Sequence, residues 1–530
     1  MHVHTCLRKG VIVLNRTMRL AVVLAAATLS AGTAKALDCA ALTELQLPDI
    51  RIEQATASLG EEPQAENLPE GVSSRSARAT VPHCRVSGVI GSEIRFEVLL
   101  PDDWNGKFLM GGGGGFVGSL GYQGRFSVNR GYATAATDTG HQANGIRAEW
   151  AYGHPERRVN YGYLGVHRTT EAAKAIIRAY YEQPAERAYF MGCSNGGRQA
   201  MMSAQRFPED FDGIIAGAPA HDFSGVLAAF TYNMQRIFPD PGTLAEPVIT
   251  PQNRNLLESE ILRRCDARDG VEDGFLNDPR DCDFKLTDLP VCAGEESSDN
   301  CLTIRQREAV AAVYGGPRNS KGQIYPGFPF GGESAPGSWQ AWITGPSERL
   351  MSAYGEPSSQ FGFATQGFKY LIFQEPEFDY STYDFDDYDN DAAHLKGFLD
   401  ATDPDLSGFK QAGGKLLLWH GWSDAALTAL GSIEYYEAAE GLDPNIRDYF
   451  RFYLMPGVFH CAGGPGPDRV DWLDALERWV EDGDAPDALT AIKVTDGKIA
   501  KARPLCVYPE RAEFAGGDPD KESSYTCKLP

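Results

Sequence analysis

The chain has 530 residues, of which 42% are apolar and 23% charged, the balance of a folded globular protein. That length suits one large domain with insertions, or two domains. A formal net charge of −23 argues against nucleic acid or an anionic membrane as partner and leaves a small neutral or aromatic molecule open. Residues 1–36 read as a secretory signal peptide. Arg16 and Arg19 precede the apolar run Leu20–Leu29, and Ala34-Lys35-Ala36 offers small residues for cleavage. Met18 is an alternative start. The run is too short for a membrane anchor. Cleavage after Ala36 removes five basic residues and no acidic one, which takes the charge to −28. A secreted or periplasmic location follows.

Of the 11 cysteines, Cys6 falls in the removed segment, and the remaining ten suit an oxidising compartment. Local spacing suggests the pairs Cys39–Cys84, Cys265–Cys282, Cys292–Cys301 and Cys506–Cys527, and leaves Cys193 and Cys461. Spacing does not prove connectivity. Zinc is the competing use, but the chain contains no C-x-x-C pair.

Along the chain, residues 37–80 read as polar loop. Strands follow from Cys84 to Pro101, with a hairpin-like turn at Trp104–Lys107 and a short buried strand at Phe108–Met110. The run Gly111–Gly115 comes next. No Lys-Ser/Thr follows it, so it is not a phosphate loop, and it is too short and too closely bounded by apolar residues for a linker. The remaining reading is a glycine-rich oxyanion loop after an early hydrolase strand. A strand at Gly131–Asp138 and a helix at Tyr163–Tyr181 lead to Ala188-Tyr189-Phe190-Met191, then Gly192-Cys193-Ser194-Asn195-Gly196-Gly197-Arg198, then a helix. This is a strand, a tight turn and a helix with a serine at the apex of Gly-x-Ser-x-Gly. Another strand spans Phe211–Ala220. The alternation argues for a mostly parallel sheet covered by helices.

After residue 222 the rhythm stops. Residues 223–405 hold many Pro, Gly and aromatic residues and scattered short helices such as Thr303–Tyr314. So long a structureless stretch is improbable within one core, and it reads as an inserted lid domain. Core elements resume with the strand Lys415–Trp419, a helix over Thr428–Ala439, the strand Tyr449–Leu454 and the helix Val470–Val480. The tail reads as a stapled loop. The expected organisation is an α/β-hydrolase core, 37–222 and 406–530, with a large inserted lid, 223–405.

A serine nucleophile needs a base, and the base an orienting carboxylate; in this fold class the order is Ser, acid, His. Asp424, just past Lys415–Trp419, and His460, just past Tyr449–Leu454, meet that order after Ser194. His420 is the rival base, but it precedes the acid on the same loop and suits a structural role better. Asp138 is a weaker rival acid. Cys193 adjoins the nucleophile and Cys461 the base. If they pair, the bond ties the two loops together.

This Cys-Ser, Asp, His-Cys arrangement resembles the tannase and feruloyl esterase family of secreted α/β-hydrolases, which includes hydrolases of mono(2-hydroxyethyl) terephthalate. The resemblance extends to Gly421-Trp422-Ser423-Asp424, Asp138-Thr139-Gly140-His141 and Phe207-Pro208-Glu209-Asp210-Phe211-Asp212-Gly213. It implies an ester hydrolase acting on aromatic acid esters through an acyl-enzyme. It also implies an oxyanion hole from the backbone amides of Asn195 and Gly114, the latter placed to within one position in the glycine run.

In the lid, Cys265–Phe275 carries closely spaced carboxylates with glycines. Such hard oxygens suit Ca²⁺ as well as they suit a solvated turn, and the spacing is not that of an EF-hand. The family's lid calcium site carries onto the side chains of Asp266, Asp269 and Asp273 and the carbonyls of Val271 and Phe275. Its expected role is to hold the lid, far from proton transfer. The alternative to an esterase is a calcium-dependent binding protein on an inactive hydrolase scaffold. A serine peptidase would share the triad.

Overall fold

The computed structural model describes residues 38–62, 68–69, 78–294, 298–345 and 356–530, so the expected signal peptide lies outside the described residues. Among the described residues, nine strands form one sheet. They are β1 (Ile50–Ser58), β2 (His83–Ile90), β3 (Ile94–Pro101), β4 (Lys107–Gly111), β5 (Ala133–Thr137), β6 (Arg187–Ser194), β7 (Gly213–Pro219), β8 (Lys415–Gly421) and β9 (Phe450–Met455). Their order is β1-β2-β3-β5-β4-β6-β7-β8-β9. The run from β5 to β9 is parallel, and β1, β2 and β3 are added antiparallel. Parallel strands are buried on both faces, which is why β4, β6, β7 and β8 read as continuous apolar runs.

Alternate residues serve opposite faces. Phe108, Phe190, Leu416 and Leu418 pack on one side with Ile176, Met201 and Tyr436, from the helices Gly165–Tyr181, Asn195–Arg206 and Ala429–Leu442. Leu109, Tyr189, Leu417 and Tyr453 pack on the other with Trp472, Leu476 and Trp479. Those last three lie on one stripe of the helix Trp472–Asp482, capped by Asp471 accepting from the Asp474 amide and ended by Gly483 at φ 74°.

The segment 223–405 contributes no strand to this sheet among the described residues. Its apolar side chains, among them Phe230, Leu257, Val310 and Trp339, form a third cluster with Phe116, Tyr161 and Leu427. These three belong to segments that follow β4, β5 and β8 at the carboxyl edge of the parallel strands, so the insertion packs over that edge.

Four expectations are corrected. Residues 37–80 are not all loop: β1 is a nine-residue edge strand, disguised because only Ile52 is buried. Trp104–Lys107 is no hairpin, since β5 lies between β3 and β4. The insertion holds two 15-residue helices, Phe223–Ile237 and Pro251–Cys265. The first carries Phe223, Val226, Leu227, Phe230, Met234 and Ile237 at helical spacing, all buried. The tail is stranded, with antiparallel pairs Ala488–Thr495/Lys498–Cys506 and Arg511–Phe514/Tyr525–Lys528.

Candidate active site

The parallel arrangement brings four strand ends to one edge. β4 runs into the glycine run, β6 ends on Ser194, β8 leads to Asp424 and β9 to His460. Ser194 is both the last residue of β6 and the N-cap of the helix Asn195–Arg206, with φ 65° and ψ −127°. A side chain held at positive φ is strained and persists only where its surroundings enforce it. Here the enforcing contacts are glycines. A Cβ on Gly192 would come 2.4 Å from the Gly196 carbonyl oxygen, and one on Gly197 would come 2.4 Å from that of Gly217.

The glycine run is pinned against this turn. The Gly112 amide donates to the Met191 carbonyl at 2.9 Å, and the Gly113 amide to Gln199 Oε1 at 3.0 Å. The Asn195 side-chain amide donates to the Gly113 carbonyl at 3.0 Å. The Gly114 amide has no hydrogen-bond partner among the described residues, and the position is exposed. The Asn195 amide opens its helix and has no intrahelical acceptor.

Asp424 is 2% exposed. Its Oδ1 accepts from the amides of Ala426 (2.8 Å) and Leu427 (2.9 Å), and its Oδ2 lies 2.8 Å from His460 Nδ1. Burial alone would push this carboxyl up. His460 and His420 beside it reverse that and hold it below the usual carboxylate range. An ionised carboxylate only accepts, so His460 Nδ1 carries the proton and Nε2 is left as the basic nitrogen. His420, the rival base, is buried, with Nδ1 2.8 Å from Ser432 Oγ and Nε2 3.0 Å from the Leu427 carbonyl. Asp138, the rival acid, accepts from the amides of Arg95 and Gly140 and from Gln142, and burial raises it to about 6.

Among the described residues five disulfides form: Cys39–Cys84, Cys193–Cys461, Cys265–Cys282, Cys292–Cys301 and Cys506–Cys527. Cys193–Cys461 spans 268 residues of sequence with 5.9 Å between Cα atoms, and so joins the residue before Ser194 to the residue after His460. Ser194, Asn195, Asp424, His460 and the glycine run therefore meet at one place.

Sequence reasoning assigned no role to three further residues. Tyr161 and Arg198 both donate to Asn195 Oδ1, at 3.0 and 2.8 Å. Arg198 is fully buried and also donates to the carbonyls of Tyr161, Gly162 and Leu399, which fastens the helix after Ser194 to the end of the insertion. Arg198 stood in the quoted heptapeptide; Tyr161 carried no signal. Trp342, one of many lid aromatics in the sequence, sets its ring edge-on to His460 at 4.8 Å, with Phe363 beyond it and parallel at 6.3 Å.

A model of the family described as tannase and feruloyl esterase matches residues 78–528. The chain belongs to the tannase and feruloyl esterase family. It is a carboxylic ester hydrolase with the α/β-hydrolase fold. It is 35% identical to an uncharacterised esterase of Xanthomonas campestris pv. campestris, over 92% of this chain and 91% of that protein. It is 33% identical to the mono(2-hydroxyethyl) terephthalate hydrolase of Piscinibacter sakaiensis, over 86% of each. The crystal structure of feruloyl esterase B from Aspergillus oryzae superposes with a TM-score of 0.80 at 27% identity, covering 92% of this chain and 99% of that one.

The acidic loop lies elsewhere on this esterase. Asp266 accepts from the amides of Asp273 and Gly274, Asp269 from the Val271 amide, and Asp273 pairs with Arg503 and Lys501. As they stand, no three acidic, His or Cys groups converge at metal-holding distance among the described residues. Yet Asp273 Oδ1 is buried with no partner, which leaves an oxygen suited to a hard cation. Phe275, at the end of the loop, packs against Gly457. Five disulfides suit an oxidising compartment. No helix among the described residues is long and apolar enough to cross a membrane.

Proposed function

We propose that this esterase is a secreted serine enzyme that cleaves esters of aromatic acids through an acyl-enzyme. The observation that carries this is the 2.8 Å contact between Asp424 and His460 beside a disulfide that joins the His460 loop to the strained turn of Ser194. Ser194 Oγ attacks the ester carbonyl carbon while His460 Nε2 takes its proton. Asp424 stabilises the imidazolium that forms. The amides of Asn195 and Gly114 donate to the developing oxyanion; removing one such donor costs about a hundredfold or more in rate. The intermediate collapses, and the alcohol leaves with the proton from His460. A water then gives a proton to His460 and its oxygen to the acyl carbon; the bond to Ser194 Oγ breaks as that oxygen takes the proton back from His460, and the acid departs.

Trp342 and Phe363 beside His460 favour a flat acyl group, since aromatic faces stack well on one another. Feruloyl, galloyl and terephthalate-monoester groups meet that description, and related proteins carry the first and last in their names. Asp266, Asp269 and Asp273, with the carbonyls of Val271 and Phe275, would hold Ca²⁺, whose chemistry here is to neutralise clustered carboxylates and brace the lid.

The test is hydrolysis of methyl ferulate, methyl gallate, mono(2-hydroxyethyl) terephthalate and a peptide by the enzyme and its Ser194→Ala variant. Turnover of at least one aromatic ester, lost in the variant, is expected. Equal turnover by Ser194→Ala would overturn the serine mechanism, and a preference for the peptide would overturn the substrate class.

A further inference from the structure

Behind the nucleophile turn, on the sheet face that carries the helix Trp472–Asp482, lies a cavity of about 470 Å³. Cys193, Trp419, Cys461, Arg469, Trp472 and Ile492 are among its walls. No residue of 223–405 lines it, so it is distinct from the lid-covered cleft where Trp342 faces His460. Its volume falls within the range of small-ligand sites, roughly 300–1,000 Å³.

Two features of the wall specify a ligand. Trp419 and Trp472 stand parallel, 6° apart in plane and 5.7 Å between centroids, and offer flat aromatic surface. The charges on the wall are otherwise matched. Arg125 pairs with Glu61 and Glu97, Arg130 with Asp471 and Glu477, and Asp468 with Lys493. Arg469 differs. It has no ion pair among the described residues, and its Nη1 is buried without an acceptor. A buried guanidinium nitrogen left unsatisfied is costly, and a carboxylate is the acceptor that matches its geometry.

We propose that this cavity is a second ligand site that takes a small planar aromatic monocarboxylate. Arg469 receives the carboxylate and the Trp419–Trp472 pair receives the ring. A doubly charged anion such as sulfate fits less well, because only one cation is unmatched and much of the wall is apolar. The ligand lies against Cys193 and Cys461, one residue from Ser194 and one from His460. Choosing the acid product of the reaction as the probe rests on the esterase reading; the site itself does not.

The experiment titrates ferulate, and its neutral amide as control, into the full-length enzyme by calorimetry, with tryptophan fluorescence as a second signal. The expected result is ferulate binding that survives Trp342→Ala, which alters the lid cleft. It should weaken about tenfold or more in Arg469→Gln, recover in part in Arg469→Lys, and be absent for the amide. Ile492→Glu, which brings a repelling carboxylate to the wall, should also abolish it, so the conclusion does not hang on one variant's folding. Thermal melting checks each variant. No ferulate binding at about 10 mM, or binding that Trp342→Ala abolishes and Arg469→Gln leaves intact, would overturn the proposal. Ester turnover is measured separately, so a failed reaction and a failed site give different results.

Discussion

Asp424 and Asp273 are both nearly buried carboxylates on loops, and their surroundings differ. Asp424 has each oxygen assigned: two backbone amides at Oδ1 and His460 at Oδ2, with His420 alongside. Asp273 leans on Arg503 and Lys501 through one oxygen and leaves the other buried and unmatched. One site is complete in the chain itself, as proton transfer at a fixed geometry requires. The other leaves a buried oxygen unmatched, and in the proposed reading a cation completes it. Loss of a group from the first should therefore cost rate, and loss from the second should cost stability.

The largest effect tests the complete site. Asp424→Asn should lower kcat/KM for an aromatic ester by about ten-thousandfold with little change in melting temperature, because the wrong imidazole tautomer then faces Ser194. A loss below tenfold would mean that His460 does not depend on Asp424. Next, Cys193→Ala/Cys461→Ala should lower kcat about a hundredfold, the cost of a small misplacement of nucleophile and base. Full activity in that double variant would remove the disulfide from the catalytic account.

The incomplete site should respond the other way round. Chelation of Ca²⁺, or Asp273→Asn, should lower the melting temperature more than it lowers initial rates at room temperature. An unchanged melting curve would count against the cation. The smallest effect concerns Glu333, buried in the insertion next to Gly332, which packs on Phe459 and Ser423. Burial pushes its carboxyl up to about 7, even though Tyr314 and the Gly331 amide donate to Oε1. The unfolded carboxyl ionises near 4.3 while the folded one stays protonated, so stability falls as pH rises from there to about 7. Glu333→Gln should flatten that fall, raising the melting temperature at pH 8 and not at pH 4. Equal shifts at both would show that Glu333 is not the titrating group.

The same contrast explains what could be read from sequence. The strands β4, β6, β7 and β8 announce themselves because burial on both faces makes them largely apolar, and the end of β6 and the segments after β8 and β9 carry Ser194, Asp424 and His460 in a fixed order. β1 escaped notice because an edge strand with one buried residue has no such pattern. The helix Phe223–Ile237 was legible in principle, since Phe223, Val226, Leu227, Phe230, Met234 and Ile237 keep helical spacing. Tyr161 and Trp342 join the site only through tertiary contacts, from the helical segment before Gly165 and from the insertion, and no local spacing encodes those. The cavity beside Arg469 is invisible for the same reason, since its walls come from strand, loop and tail segments far apart in the chain.

The claim that the chain completes its own catalytic site is tested most directly by trapping its covalent intermediate. The enzyme is mixed with an activated aromatic ester, quenched in acid within milliseconds, and digested for mass spectrometry. The account predicts the acyl mass on the peptide that carries Ser194, accumulating in the parent enzyme and absent in Ser194→Ala. Steady hydrolysis with no acylated peptide, or with the acyl group on another residue, would contradict it.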